Sequence, residues 1–218
     1  MIVQNTRKNA TILSVFALCV AGLVTLTYLG TKDRITAQEQ AKLLSVIGDV
    51  VPSTHYDNDI QHDCIALPVV HALGNTSNLK AYRGRIGSKL SAVAVESVAP
   101  NGYSGAIRFI VGLAGEGFTT VTGVRVLQHM ETPGLGDKID ERVSPWIYEF
   151  NNREITPEVQ IQWTVKKDGG QFDAFTGATI TPRALTQAIA KTALYVQQNL
   201  TQIARATNQC AVEDSRND

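Results

Sequence analysis

Hydrophobic and polar positions divide this chain into stretches with different periods. No charged residue stands between Lys8 and Lys32, and residues 12 to 29 read ILSVFALCVAGLVTLTYL. As a helix rising about 1.5 Å per residue, such a run suffices for a hydrocarbon core roughly 30 Å thick. A cleaved signal peptide is the competing reading. The apolar run, however, continues past the small-residue site at Val20 to Gly22 and exceeds the usual apolar region of about 7 to 15 residues. Cys19 follows Leu18 rather than a small residue, which argues against lipoprotein processing. The pattern predicts a retained single span over residues 9–31. Residues 33 to 48 then read as a helix with Ile35, Leu43, Leu44 and Ile47 on an irregular apolar face, continuing the span or joined to it at Gly30.

Residues 53 to 80 are polar, without a clear period. From Leu90 the pattern changes to alternation: LSAVAVESVA, SGAIRFIVGLA and FTTVTGVRVLQ, separated by Pro100-Asn101-Gly102 and Gly115-Glu116-Gly117. β-Branched residues at period two with such turns predict three consecutive antiparallel strands. Residues 137 to 150 read as a helix, and IQWTVKK before Asp168-Gly169-Gly170 as a further strand and reversal. A last helix is predicted with Thr181 as N-cap, Pro182 at its first position, and Leu185, Ile189, Val196 and Leu200 on one face. Together these elements predict an α+β domain behind a single transmembrane helix.

Charge refines the layout. Over 218 residues, 20 Lys+Arg balance 20 Asp+Glu, which excludes a strongly basic nucleic-acid binder and an acidic solvating tail. Arg7 and Lys8 on the short N-terminal side predict a cytoplasmic segment, residues 1–8. Residues 32–218 then form the exported domain, periplasmic if the cell is Gram-negative, with the span in the inner membrane. Three cysteines exclude a disulfide-dense scaffold and are too few and too scattered to hold an iron–sulfur cluster. Cys64 and Cys210 both fall in the exported part, where one disulfide and two separate thiols are both open. His55, His62, His71 and His129 lack metal-ligand spacing, and no dinucleotide fingerprint, Walker loop or nucleophile elbow occurs.

The informative stretch is DAFTGATIT, residues 173 to 181. Gly177 permits a tight backbone path, and Thr176, Thr179 and Thr181 place hydroxyls around a helix N-terminus, whose unpaired N–H groups and positive partial charge suit a phosphate. Ordinary capping uses the same residues, so the physics leaves both roles open. ETPGLGDKI, residues 131 to 139, reads either as a connector or as a ligand-lining loop, with a turn at Pro133-Gly134 and Asp137 able to cap the next helix.

Asp173-x-x-Thr176-Gly177-Ala178-Thr179 resembles the motif of proteins that carry FMN through a phosphoester bond to threonine. GYSGAI at 102 to 107, ETPGLGDKI, and WTVKKDGGQFDAFTGATITPRAL at 163 to 185 extend the resemblance to the G subunit of the Rnf/Rsx electron-transport complex. The resemblance implies covalent FMN on Thr179, installed by a separate flavin transferase with FAD as donor. Asp173, Thr176, Gly177 and Ala178 are implied to matter for that enzyme or for the local conformation, with Thr181 beside them. Glu131, Thr132, Gly134, Leu135 and Gly136 are implied to line the flavin. Tyr103, Ser104, Lys166 and Lys167 are weaker candidates, and Trp146 and Trp163 read as core or interface aromatics. The implied function is electron relay within a membrane-bound, ion-translocating oxidoreductase, beside other membrane subunits and with no complete activity alone. The C subunit of the sodium-translocating NADH:quinone oxidoreductase and a non-redox membrane-anchored assembly module are the alternatives.

Overall fold

The computed structural model describes residues 2–210. The chain divides into two units, one running to Leu43 and the other beginning at Leu44. Residues 2–43 of helix α1 (Ile2–Val50) make up the described part of the first. The helix runs through Gly30 without a break and two residues past Gly48. Its stretch Asn9–Ile35, 27 residues, is long and apolar enough to cross a membrane, and none of its most apolar window is buried. The threonine hydroxyls there have internal partners. Thr25 donates to Ala21 O (2.8 Å), Thr27 to Leu23 O (2.8 Å) and Thr31 to Thr27 O (2.8 Å), so an apolar surrounding would leave none of these three protons unpaired.

The second unit is a six-stranded antiparallel sheet in sequential order. Its strands are β1 (Cys64–Ala66), β2 (Lys80–Ile86), β3 (Lys89–Ala99), β4 (Ile107–Ala114), β5 (Thr120–Gln128) and β6 (Arg153–Glu154). The three alternating stretches of the sequence are β3, β4 and β5, in register from Ala92↔Ala114 to Ala99↔Ile107 and onward to β5. Helix α2 (Ile180–Arg205) covers one face. Its Leu185, Ile189, Ala193 and Val196 share a core with Val93, Val95, Phe109, Val111 and Leu113. The fold is therefore α+β, as expected.

Alternation turns Ala92, Ala94 and Ile110 to the opposite face, where they are nonetheless buried. The chain from Val46 to Val51 lies there. The Thr122 hydroxyl donates to Val50 O (2.5 Å), and a Cβ on Gly112 would sit 2.1 Å from that carbonyl. Gly112 pairs directly with Gly123, so two facing glycines let backbone rest on the sheet.

Three expectations require correction. Residues 137 to 150 form two short 3-10 turns, Gly136–Ile139 and Pro145–Phe150, instead of one helix. Pro145 forces Ser144 into extended backbone, and Ser144 then caps the second turn by accepting from Trp146 N (3.2 Å). Residues 161 to 167 form no strand: a single bridge joins Val165 to Phe172, flanked by turns at Gln160–Gln162 and Lys166–Asp168. The apparent strand alternation instead places Trp163 and Val165 in the interior; Trp163, Phe150 and Phe172 pack with ring centroids 4.5 to 5.9 Å apart. Finally, α2 begins two residues early, with Thr179 and not Thr181 at the N-cap position.

Cys64 and Cys210 are joined as a disulfide across a separation of 146 residues. Beside it Arg83, 2% exposed, donates to Ile203 O (3.1 Å) and Ala206 O (2.6 Å) at the end of α2 and pairs with Asp63. Arg85 adds Ala204 O (3.2 Å) and the other oxygen of Asp63 (2.7 Å). These guanidinium groups satisfy carbonyls that a helix C-terminus otherwise leaves orphaned.

Candidate functional site

Three loops meet at the opposite end of α2: residues 101–106 between β3 and β4, residues 129–140 after β5, and residues 173–179 before the helix. Their link is Glu131, 5% exposed. One carboxylate oxygen accepts from the Ser104 backbone N–H (3.1 Å) and the other from the buried Thr181 hydroxyl (2.6 Å). A Cβ on Gly136 would lie 2.6 Å from that second oxygen and 2.8 Å from Thr181 Oγ1, so only glycine leaves room for the bond. Thr181 is thus committed to Glu131, fifty residues away, and does not serve as a cap.

Thr132 fixes the next turn with its carbonyl, which accepts from Leu135 N (3.1 Å) and Gly136 N (3.2 Å). The exposed side chain of Leu135 reaches across to Gly177, where a Cβ would lie 3.8 Å from its Cδ2. Gly177 (φ 81°) turns the chain back so that Ala178 N donates to Phe175 O (3.0 Å). Glu131, Leu135, Gly136, Gly177 and Thr181 are therefore brought together. Thr179 follows this turn, half-buried with helical backbone angles, and its side chain makes no capping bond. Tyr103 (68% exposed) and Met130 (69%) on the same loops, and Ile180 (45%) at the start of α2, are open, largely apolar side chains.

The side chains of the other candidates are placed differently. Thr132, Gly134 and Thr176 are exposed, and Ala178 is half-buried within the turn. Asp173 points outward to Lys166 (2.7 Å), with both side chains well exposed. Trp163 belongs to the aromatic core, where its Nε1 donates to Glu154 O (3.1 Å). Trp146 is buried, as expected, but its Nε1 donates to Asp173 O (2.9 Å) and its ring meets Phe175 edge-on at 5.0 Å.

His129 joins the site although nothing in its spacing along the chain suggests chemistry. Its Nδ1 accepts from Glu131 N (3.2 Å), and its Nε2 faces Asp140 at 3.6 Å. Bonds from the Arg142 guanidinium hold the Asp140 pKa at about 2, below its ordinary value, despite the opposing effect of burial.

A protein-family model for an FMN-binding domain matches residues 102–193, and one for the RnfG N-terminal region matches residues 1–50. The G subunit of the ion-translocating oxidoreductase complex from Pseudoalteromonas atlantica is 51% identical over 208 residues, 95% of this chain and 95% of its own length. This chain belongs to that G-subunit family. The corresponding G subunit of Vibrio cholerae serotype O1 is 48% identical over 204 residues, covering 94% of this chain and 96% of its own, and that of Vibrio vulnificus is 46% identical over 204 residues, 94% of this chain and 95% of its own. Within this G-subunit chain, the FMN-binding match takes in all the residues joined at Glu131, together with β4, β5 and the first half of α2. It leaves out β1, β2 and β3 and the disulfide clasp.

The residues present fit FMN. Thr179 offers a hydroxyl that capping does not use, at the positive end of a 26-residue helix, with open apolar side chains on the converging loops.

Proposed function

We propose that this protein carries electrons within a membrane-bound ion-translocating oxidoreductase complex by means of FMN attached through its phosphate to Thr179. The observation that carries this reading is the half-buried Thr179 at the start of α2 without a capping bond, inside an FMN-binding match and a chain of the G-subunit family. Attachment replaces the hydroxyl proton with the flavin phosphate, FAD being the donor and AMP the leaving group, under a separate flavin transferase. Asp173, Thr176, Gly177 and Ala178 form the acceptor segment. Glu131 fixes Thr181 and Ser104 so that the segment keeps its place, while Thr132, Gly134, Leu135 and Gly136 shape the loop that borders the ring.

Bound there, FMN supplies reversible electron transfer, and the phosphate link leaves its ring unmodified. The protein's own work is to keep the cofactor from dissociating and to hold it against an apolar, partly open surface that a neighbouring protein of the complex can approach. Residues 1–8 lie in the cytoplasm in this reading, residues 9–31 cross the inner membrane, and residues 32–218 work in the periplasm beside the other membrane subunits. Intact mass of the chain coexpressed with the transferase should show one FMN-sized increment and in-gel fluorescence, both lost in Thr179→Ala. Covalent flavin retained in that variant would sink the assignment, and a colourless wild-type protein would favour a non-redox assembly role.

A further inference from the structure

The acceptor segment begins at Asp173, whose exposed side chain forms an open ion pair with Lys166. An exposed pair of this kind adds little to stability and does little to orient a backbone. The backbone carbonyl of Asp173 is nonetheless held: it accepts from Trp146 Nε1 at 2.9 Å. Two residues on, Phe175 sets its ring edge-on against Trp146 at 5.0 Å. The holding element is the 3-10 turn Pro145–Phe150, itself anchored by buried Trp146, Ile147 and Phe150. Trp146 also packs on Phe150 with centroids 5.1 Å apart.

We infer that Trp146 is a positioning residue for the attachment of flavin, clamping Asp173 from behind so that a flavin transferase meets its carboxylate at a set distance from Thr179. The inference rests on the reading that Thr179 is the flavinylated residue. Its physical basis is preorganisation: an enzyme that reads a short exposed segment loses less conformational entropy when that segment is already ordered. The clamp acts only on the backbone, which leaves the Asp173 side chain presented to solvent. The Lys166 pair, being exposed, is readily exchanged for a group on the incoming enzyme.

The test uses full-length protein in detergent, purified transferase and FAD, with covalent flavin followed by in-gel fluorescence and intact mass. Trp146→Phe keeps an aromatic ring and removes the donor to Asp173, whereas Trp163→Phe removes the corresponding indole donor to Glu154 O, outside the acceptor segment. Trp146→Phe should slow the initial rate per folded molecule about three- to tenfold, the equivalent of one lost hydrogen bond. Trp163→Phe should retain the wild-type rate per folded molecule. A wild-type rate in Trp146→Phe would overturn the inference, as would equal slowing in Trp163→Phe. Thr179→Ala separates this from the underlying reading: flavin retained there refutes the attachment site, not the clamp alone.

Discussion

The two ends of α2 are built on opposite plans. Separated by about 40 Å of helix, they differ in how their orphaned backbone groups are treated. At the C-terminal end Arg83 and Arg85 take up three carbonyls, Asp63 holds both guanidinium groups, and the Cys64–Cys210 disulfide closes beside them. At the N-terminal end the N-cap threonine makes no capping bond, and order comes from Glu131 behind it. The domain thus secures α2 where no ligand is expected and leaves its donor-rich end open. A helix satisfied fully at both ends would have no unpaired N–H groups with which to receive a phosphate.

The largest effect should come from breaking the closed end. Arg83→Met takes the guanidinium donor from one buried and one half-buried carbonyl and leaves half of the Asp63 pairing unmade, which should cost about 3 to 5 kcal/mol in urea unfolding. A cost below about 1 kcal/mol, the range of an ordinary surface pair, would mean that the clasp is incidental. Next, removing the disulfide by Cys64→Ser/Cys210→Ser should lower stability by about 2 to 4 kcal/mol. Flavin incorporated per folded molecule should stay unchanged in that variant, because the lesion lies at the far end; a parallel loss would erase the division between the ends.

At the open end, Glu131→Ala strips the acceptor from the buried Thr181 hydroxyl and the Ser104 N–H, for an expected loss of about 2 kcal/mol. Asp140 should make this end acid-sensitive. Its folded pKa of about 2 lies below the roughly 3.9 of an unfolded aspartate, so its stabilisation is present above about pH 4. That stabilisation is lost as the pH falls through about 2. Because Arg142 is largely exposed, about 1 kcal/mol is a reasonable size, and Asp140→Asn should flatten the stability–pH curve in that window. The smallest change belongs to Thr179→Ala. An ordinary cap threonine costs about 1 kcal/mol to remove, whereas this one should cost less than about 0.5 kcal/mol. A larger loss would show that the hydroxyl is used for capping after all.

Much of the domain is legible in the chain itself, for reasons that differ by region. β3, β4 and β5 are visible from their β-branched residues at period two and the glycine turns between them, which need no distant information, although both faces of these strands are buried. β1 and β2 are hidden because Arg83 occupies a buried position in KAYRGRI, where a charged residue disguises the pattern of a strand interior. The apparent strand at 161 to 167 misleads for the converse reason, since alternating Trp163 and Val165 reach the interior from an irregular path. The acceptor motif stands out by its residues, yet Trp146 carries no local mark of its relation to Asp173.

Whatever depends on neighbours a few positions apart is readable along the chain: the uncharged apolar run of α1, the period-two strands, the glycine turns and the threonine-rich start of α2. The partners of individual groups come from the tertiary fold. Thr181 and Pro182 look like the natural start of a helix, but a carboxylate fifty residues upstream takes the Thr181 hydroxyl, and Thr179 stands at the N-cap position instead. Likewise, two cysteines whose pairing is open in the sequence are joined across 146 residues once β1 lies beside the end of α2. Local preferences of a few tenths of a kcal/mol per residue set the elements, whereas one buried charged or hydroxyl group left without a partner costs more than any of them.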